Sequence, residues 1–292
     1  MTPVSWHIAK PEHLEDILEF LIRREHSCVP FVAHLLKDGE PSFPPKIKKR
    51  VFYLSPHRGS SEIAGVILQT AFGFVFPVFD TPEAERHPRL GELGRRLRKN
   101  FFQARTIMGR DEDVRRIEET IGSPPDTRVT YYIMSLWGEP AQRQRPAPQG
   151  YTFRRAQMQD LDRLLPLQRA YEREEVIVDD RDVNAGVVYH NMRSALEHHL
   201  TYVAEREGDP VAKASTNSRG LTYDQIGGVY TVPEERNRGI AAELMRCLIA
   251  DIRSAGKGST LFVKQHNAAA IQMYENLGFE RRNEFAISYY YP

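Results

Sequence analysis

The sequence predicts a mixed α/β (α+β) protein built as two tandem halves, and three observations predict it. Short runs rich in β-branched and aromatic residues alternate with stretches whose apolar residues recur at helical spacing. A proline-rich segment, Gly138 to Gly150 (GEPAQRQRPAPQG), carries no aliphatic residue larger than alanine and divides the chain. The order of elements before that segment returns after it, as an internal duplication would leave it. The expected division is therefore 1–137, a linker at 138–150, and 151–292.

The bulk numbers suit this. A chain of 292 residues has room for two domains, and 41% hydrophobic with 27% charged residues is the composition of a globular core under a polar surface. A net charge of +1 offers no nucleic-acid footprint. The basic runs Lys46 to Arg50 and Arg95 to Lys99 read as a solvated loop and a helix face. Only two cysteines, Cys28 and Cys247, stand far apart, so no disulfide framework is expected. The longest apolar run, Ile63 to Phe79, is interrupted by Gln69, glycines and Pro77 and reads as buried strands rather than a membrane span. With no signal-peptide pattern at the start, the expectation is a cytoplasmic protein with no membrane partner.

In the first half, strands are predicted at Trp6 to Ala9, Val51 to Leu54, Ile63 to Gln69, Phe72 to Phe79, Thr106 to Met108 and Arg128 to Met134. Helices are predicted at Glu12 to Arg24, Leu90 to Phe102 and Asp113 to Ile121. In the second half, Tyr151 to Arg155 opens as a strand and Asp160 offers an N-cap to a helix carrying Leu161, Leu164, Leu165 and Tyr171, which Pro166 should kink or divide. A helix at Ala185 to His198 precedes strands at Leu200 to Glu205, Pro210 to Thr216 and Tyr223 to Val232. A long helix, Gly239 to Ser254, presents Ala241, Leu244, Met245, Leu248, Ile249 and Ile252 on one face. A strand at Leu261 to Lys264, a helix at Ala268 to Asn276 and a strand at Glu284 to Tyr290 complete it. At one shared offset, Pro77 falls on Pro233, Asp111 on Asn267 and Glu118 on Tyr274.

Chemistry concentrates at Gly227 to Glu243 (GGVYTVPEERNRGIAAE), where a strand ends at Pro233 and a loop opens the long helix. The first N–H groups of a helix lack intrahelical acceptors and its dipole favours an anion there. Gly239 allows close backbone approach, Ala241 keeps the next turn small, and Arg236 and Arg238 supply donors suited to phosphate oxygens. Neither a P-loop nor a dinucleotide fingerprint is present. A second segment, Asn267 to Phe279 (NAAAIQMYENLGF), follows the short strand ending at Lys264.

The first segment resembles the [RQ]-x-x-G-x-[GA] motif of the GNAT N-acetyltransferases, matched by Arg236, Gly239 and Ala241, with V-P-x-x-R (Val232, Pro233, Arg236) leading into it. The second resembles the family's N-x-x-A-x-x-x-Y-x-x-x-G-F, matched by Asn267, Ala270, Tyr274, Gly278 and Phe279. The resemblance covers 151–292 and implies two GNAT-like domains, each with a mostly antiparallel, partly splayed sheet flanked by helices. It implies acetyl-CoA as co-substrate, its pyrophosphate held at Arg236, Asn237, Arg238, Gly239, Ile240 and Ala241. It further implies a pantetheine arm against Tyr230, Val232, Asn267 and Ala270, and Tyr274 as the acid that protonates the leaving thiolate. Asp224, the nearest carboxylate upstream in the loop's strand, is the candidate base. Glu174 and Glu175, at the end of the first helix of that half, are candidates for acceptor binding. The implied activity is transfer of an acetyl group to a primary amine, of a small molecule or a peptide, by direct attack in a ternary complex. An alternative of another class is a non-catalytic acyl-CoA-binding sensor.

No H-E-x-x-H or C-x-x-C occurs, so no metal site is expected, and no G-x-S-x-G supports a hydrolase. The first half departs from the family pattern wherever its cofactor positions align, being acidic after Pro77 (VFDTPEAERH). It is expected to be a degenerate copy that does not bind coenzyme A and that completes a cleft, regulates, or pairs with another subunit, as in a homodimer.

Overall fold

The computed structural model describes residues 5–44, 49–55, 60, 62–80, 105–143, 146–176 and 183–291. Their contacts form two compact units, Met1–Ile133 with Arg282–Pro292, and Met134–Arg281. The division differs from the expected one at both ends of the second half. The C-terminal strand counts with the first unit, and the proline-rich segment counts with the second.

In the first unit, β1 (Ser5–Ile8), β4 (Lys49–Ser55), β5 (Gly65–Thr70), β6 (Phe74–Phe79), β7 (Thr106–Arg110), β14 (Glu280–Tyr289) and β8 (Thr127–Leu136) lie in that spatial order. β2 (Leu36–Lys37) and β3 (Glu40–Pro41) form a separate small hairpin. β4, β5 and β6 pair antiparallel, whereas β6 and β7 pair parallel. β14 enters antiparallel to β7, from Phe285↔Arg110 to Tyr289↔Thr106. Phe52, Ile67, Val75, Phe79, Ile107 and Ile117 share one core. The helix expected at 12–24 is α1 (Leu14–Ile22), and a second helix that was not expected, α2 (Glu25–Ala33), follows it, hidden from any periodicity by Pro30 and a non-helical Cys28. α3 (Asp111–Ile121) packs beside the parallel pair. The helix expected at 90–102 lies outside the described residues.

In the second unit the order is β13 (Gly258–Lys264), β12 (Tyr223–Thr231), β11 (Asp209–Arg219), β10 (Thr201–Arg206) and β9 (Thr152–Arg155). Only β12 and β13 run parallel. α4 (Leu161–Tyr171) is not divided by Pro166, whose exposed ring leaves the orphaned Asp162 carbonyl facing solvent. It ends instead in a π-helical turn, Glu172–Val176. Asp160 does not cap α4 with its side chain; it accepts from the Gln157 amide at 2.8 Å and from Arg154, which also holds Glu205. α5 (Ala185–His198) is capped by Asn184, which accepts from the Gly186 and Val187 amides. α6 (Ile240–Ser254) buries Ile240 with Leu244, Met245, Leu248, Ile249 and Ile252. Ala241, expected on that face, is only half-buried, since Ile240 is the residue one turn before Leu244. Each such burial is worth about 1.5–3 kcal/mol, so the helix is anchored along its length. α7 (Ala268–Asn276) follows β13.

The proline-rich segment is no free spacer. The Ala141 amide donates to the Leu277 carbonyl at 2.9 Å, Arg246 donates to the Ala141 carbonyl at 2.6 Å, and Arg143 pairs with Glu243. Among the described residues no helix is long and apolar enough to cross a membrane.

Candidate active site

The site is created by a fork. β12 and β13 form a parallel ladder from Tyr223↔Gly258 to Ile226↔Leu261, and there the ladder ends. Beyond it, Gly227–Thr231 keep β11 as a neighbour. The β11–β12 register slips between Lys213 and Ser215 and again between Thr216 and Ser218, and such bulges bend a strand away from its partner. Gly228 sits at φ +61, a conformation any side chain would strain, and a Cβ there would lie 3.1 Å from Lys213 Nζ.

The open side of β12 leads to the loop 232–241. After Thr231 comes a single 3-10 turn, Pro233–Glu235, then Asn237 at φ 62 and Gly239 at φ 80, the N-cap of α6. Left-handed residues two apart at a helix N-terminus turn successive amides toward one side, which suits a phosphate or diphosphate. Arg236 lies over the Tyr230 ring at 5.5 Å, donates from Nε to the Thr231 carbonyl at 3.0 Å, and pairs with Glu174 at 2.7 Å. Arg238 faces Glu235 at 3.4 Å. Glu235 is buried and its carboxyl is held below the usual range, first by the Tyr151 hydroxyl and then by Arg206. Pro148 of the proline-rich segment lies beside Gly239.

Val232 corrects one expectation. Its amide donates to the Val211 carbonyl at 3.0 Å, so Val232 and, two residues earlier, Tyr230 turn their backbone toward β11. By the alternation of a strand, the open edge belongs to Thr231 and Val229, and the Tyr230 contribution is its ring beneath Arg236.

The second motif meets the fork from the other side. Asn267 caps α7, accepting from the Ala270 amide at 3.1 Å, and its Nδ2 approaches Glu175 at 3.4 Å. Tyr274 is buried with Phe279 edge-on at 5.9 Å. Burial first, and then the nearby Tyr171 and Glu175, push its phenol well above the ordinary range, so it stands protonated. Glu174 and Glu175 do not lie on a separate acceptor face. Glu174 holds Arg236, and Glu175 holds Lys264 at 3.3 Å as well as Asn267, because the cations of the loop and β13 draw them in.

Asp224 does not join this group. It is fully buried at the opposite end of β12, roughly 23 Å from Thr231 at about 3.3 Å per residue. Arg219 takes one of its oxygens at 3.0 Å and Lys257 the other at 3.2 Å. A carboxylate inside the paired part of β12, two residues before the ladder ends and held by two cations, anchors the strand, and it lies roughly 13 Å from Gly228 at about 3.3 Å per residue.

Sequence reasoning passed over the groups at the vertex. Lys213 on β11 is buried, donates from Nζ to the Gly228 carbonyl at 2.9 Å, and lies 4.7 Å above the Tyr171 ring. Burial pulls its ammonium down to about 7, opposed by Glu172. Tyr171 is hydrogen-bonded with the Gly228 backbone, and burial raises its phenol to about 12. Glu172, buried in the π-helical turn, accepts on Oε1 from Gln168 at 2.8 Å and Asn191 at 3.0 Å. The available signal was the small-residue setting of Lys213 between Ala212 and Ala214 and the double glycine opposite it.

The first unit has a fork of its own. β6 and β7 pair only at Phe74↔Thr106 and Val75↔Ile107. Counted from the forks, Pro77 takes the place of Gly228 rather than of Pro233; counted from the helix caps, Arg110 takes the place of Asn267 and Ile117 that of Tyr274. The single offset read from the sequence therefore drifts by several residues. Arg110 bridges this fork, donating to the Phe79 carbonyl at 2.6 Å and pairing with Asp113 and Glu112, each at 2.8 Å. Among the described residues no group of three or more metal-ligating side chains occurs in either unit.

Residues 161–279 match the family model of the acetyltransferase (GNAT) family. A mycothiol acetyltransferase of Thermobispora bispora is 38% identical over 88 residues, 27% of this chain and 30% of that protein, so the match spans under a third of the relative's length. Among solved structures, a GCN5-related N-acetyltransferase from Sphaerobacter thermophilus superposes with a TM-score of 0.58 at 16% identity, over 97% of this chain and 94% of its own. A tandem GNAT protein from the clavulanic acid biosynthesis pathway does so with a TM-score of 0.56 at 12% identity, over 99% of each chain. At such identities the likeness is one of fold, and it extends over both units.

Proposed function

With residues 161–279 belonging to the acetyltransferase (GNAT) family, we propose that the second unit moves an acetyl group from acetyl-CoA to a primary amine, by direct attack in a ternary complex. The observation that carries this reading is the fork between β12 and β13, open toward the Arg236–Ala241 loop, with Tyr274 buried near Tyr171, whose hydroxyl bonds the Gly228 backbone at the vertex. The loop would bind the diphosphate through its amides, with Arg236 and Arg238 adding charge. The exposed edge of Thr231 and Val229 would pair with the pantetheine amides, and Asn267 would line the same arm. Tyr274, kept protonated by burial, would donate to the departing thiolate. No nucleophilic side chain is needed: Cys28 is fully buried, and burial raises both its thiol and that of Cys247.

The first unit is proposed to be the degenerate copy. Arg110 occupies its fork, and Ile117 offers no hydroxyl where Tyr274 offers one. The domain assignment follows the compact units, with catalysis in Met134–Arg281.

Tyr274→Phe tests the catalytic reading. Acetyl-CoA affinity should stay within about twofold while thiol release falls about 100-fold, the size of a lost general acid. Unchanged turnover would remove Tyr274 from the mechanism.

A further inference from the structure

At the vertex of the fork two side chains converge on one backbone residue, and a carboxylate faces one of them. Gly228 follows the last paired residues by two positions; its carbonyl accepts from Lys213 Nζ at 2.9 Å, and its backbone also bonds the Tyr171 hydroxyl. Lys213 is 1% exposed and lies 4.7 Å over the Tyr171 ring. Glu172 is the carboxylate facing it, fixed in place by Gln168 and Asn191. Tyr171 and Glu172 are the titratable groups that α4 and its π-helical turn bring to Lys213, and β12 brings the uncharged Gly228. A lysine so desolvated holds its proton weakly, whereas the carboxylate and the ring face stabilise the ammonium when it forms. That is the pairing of a base with a group that steadies its protonated state.

We propose that Lys213 is the proton acceptor of the transfer step, with Glu172 as the positioning carboxylate that stabilises the ammonium it becomes. The assignment rests on the acyltransferase reading and gives Lys213 the role expected of Asp224. An acceptor ammonium gives one proton to Lys213. Its lone pair then forms the new bond to the acyl carbon and the carbon–sulfur bond breaks. The thiolate takes the Tyr274 proton, and the proton left on the new amide nitrogen restores the phenol. When the product leaves and water enters the vacated fork, that water takes the proton from Lys213. Because Nζ keeps a hydrogen bond to Gly228 in either state, its lone pair is free when the amine is neutral.

The test uses the full chain with acetyl-CoA, following thiol release from pH 5.5 to 9 with ethanolamine, spermidine, glycylglycine or water as the probe acceptor. Calorimetric binding of acetyl-CoA is the control. The wild-type kcat/KM should rise with pH through a limb near neutrality. Lys213→Met should lose about 100-fold in kcat and lose that limb, with acetyl-CoA binding within about twofold. Lys213→Arg keeps a cationic donor for the Gly228 carbonyl but does not give up its proton, so it should be equally impaired. Full activity in Lys213→Arg, or turnover and a limb that survive in Lys213→Met, would overturn the assignment alone. A wild type that binds acetyl-CoA yet releases no thiol above the uncatalysed rate with any of the four probes would overturn the acyltransferase reading, and the assignment with it.

Discussion

Replacing Lys213 by methionine should make the protein more stable, and the gain should depend on pH in a direction that can be worked out in advance. The side chain is buried and its ammonium is pulled from 10.5 down to about 7. At 1.36 kcal/mol per unit, holding it charged in the folded state costs about 5 kcal/mol. Between about pH 7 and 10.5 the unfolded chain binds this proton and the folded chain does not, so wild-type stability rises with pH across that window. Below pH 7 both states are protonated and the whole cost is present. Methionine removes the cost and forfeits the bond to Gly228, worth about 1 kcal/mol. The variant should therefore exceed the wild type by several kcal/mol at pH 6, and its lead should shrink by about 3 kcal/mol by pH 9. Urea unfolding of both proteins at the two pH values reads this out, and taking the difference cancels every other titrating group. Parallel pH profiles would refute the reasoning, since they would mean that Lys213 keeps an ordinary affinity for its proton and is not desolvated at the fork.

Two further outcomes bear on the loop and its strand. Glu174→Gln frees Arg236 from a pair whose members are 39% and 45% exposed; such pairs are worth up to about 1 kcal/mol, so acetyl-CoA should bind up to about fivefold more tightly at low salt. Weaker binding in calorimetry would instead make Glu174 a support for the ligand-bound loop. Asp224→Ala should lower unfolding stability by about 3 kcal/mol through two lost charge-assisted hydrogen bonds, and leave acetyl-CoA affinity unchanged. A loss of affinity would return Asp224 to the site.

Contiguous features were legible in the sequence. The loop opening α6 needs a strand end, a turn and a helix start within one short stretch, and Arg236, Gly239 and Ala241 mark that geometry because the backbone there permits few residue types. Tyr274 on α7 and Asn267 at its cap lie within one contiguous stretch and were legible for the same reason. Relations across strands were not. The place of Asp224 along β12 could be counted, but a linear sequence does not say that Lys257, just before β13, arrives beside it. Lys213 looks like a polar residue on an alternating strand. It is buried because α4 covers its face and the slip opposite Gly227 and Gly228 turns it inward. The strand expected at 284–290 is present as 280–289, whereas its pairing with β7 depends on hydrogen bonds that no local pattern encodes. Likewise, Arg110 reads as an ordinary helix-flanking cation until the Phe79 carbonyl is seen across the fork.

The central claim is that the loop opening α6 is a coenzyme A site, and calorimetric titration with acetyl-CoA tests it most directly. The wild type should bind with micromolar affinity. The double variant Arg236→Ala, Gly239→Glu should not bind, since it removes the cation over Tyr230 and sets a carboxylate at a left-handed position beside the amides meant for phosphate. A wild type that takes up no acetyl-CoA, or a double variant that binds it equally well, would contradict the account.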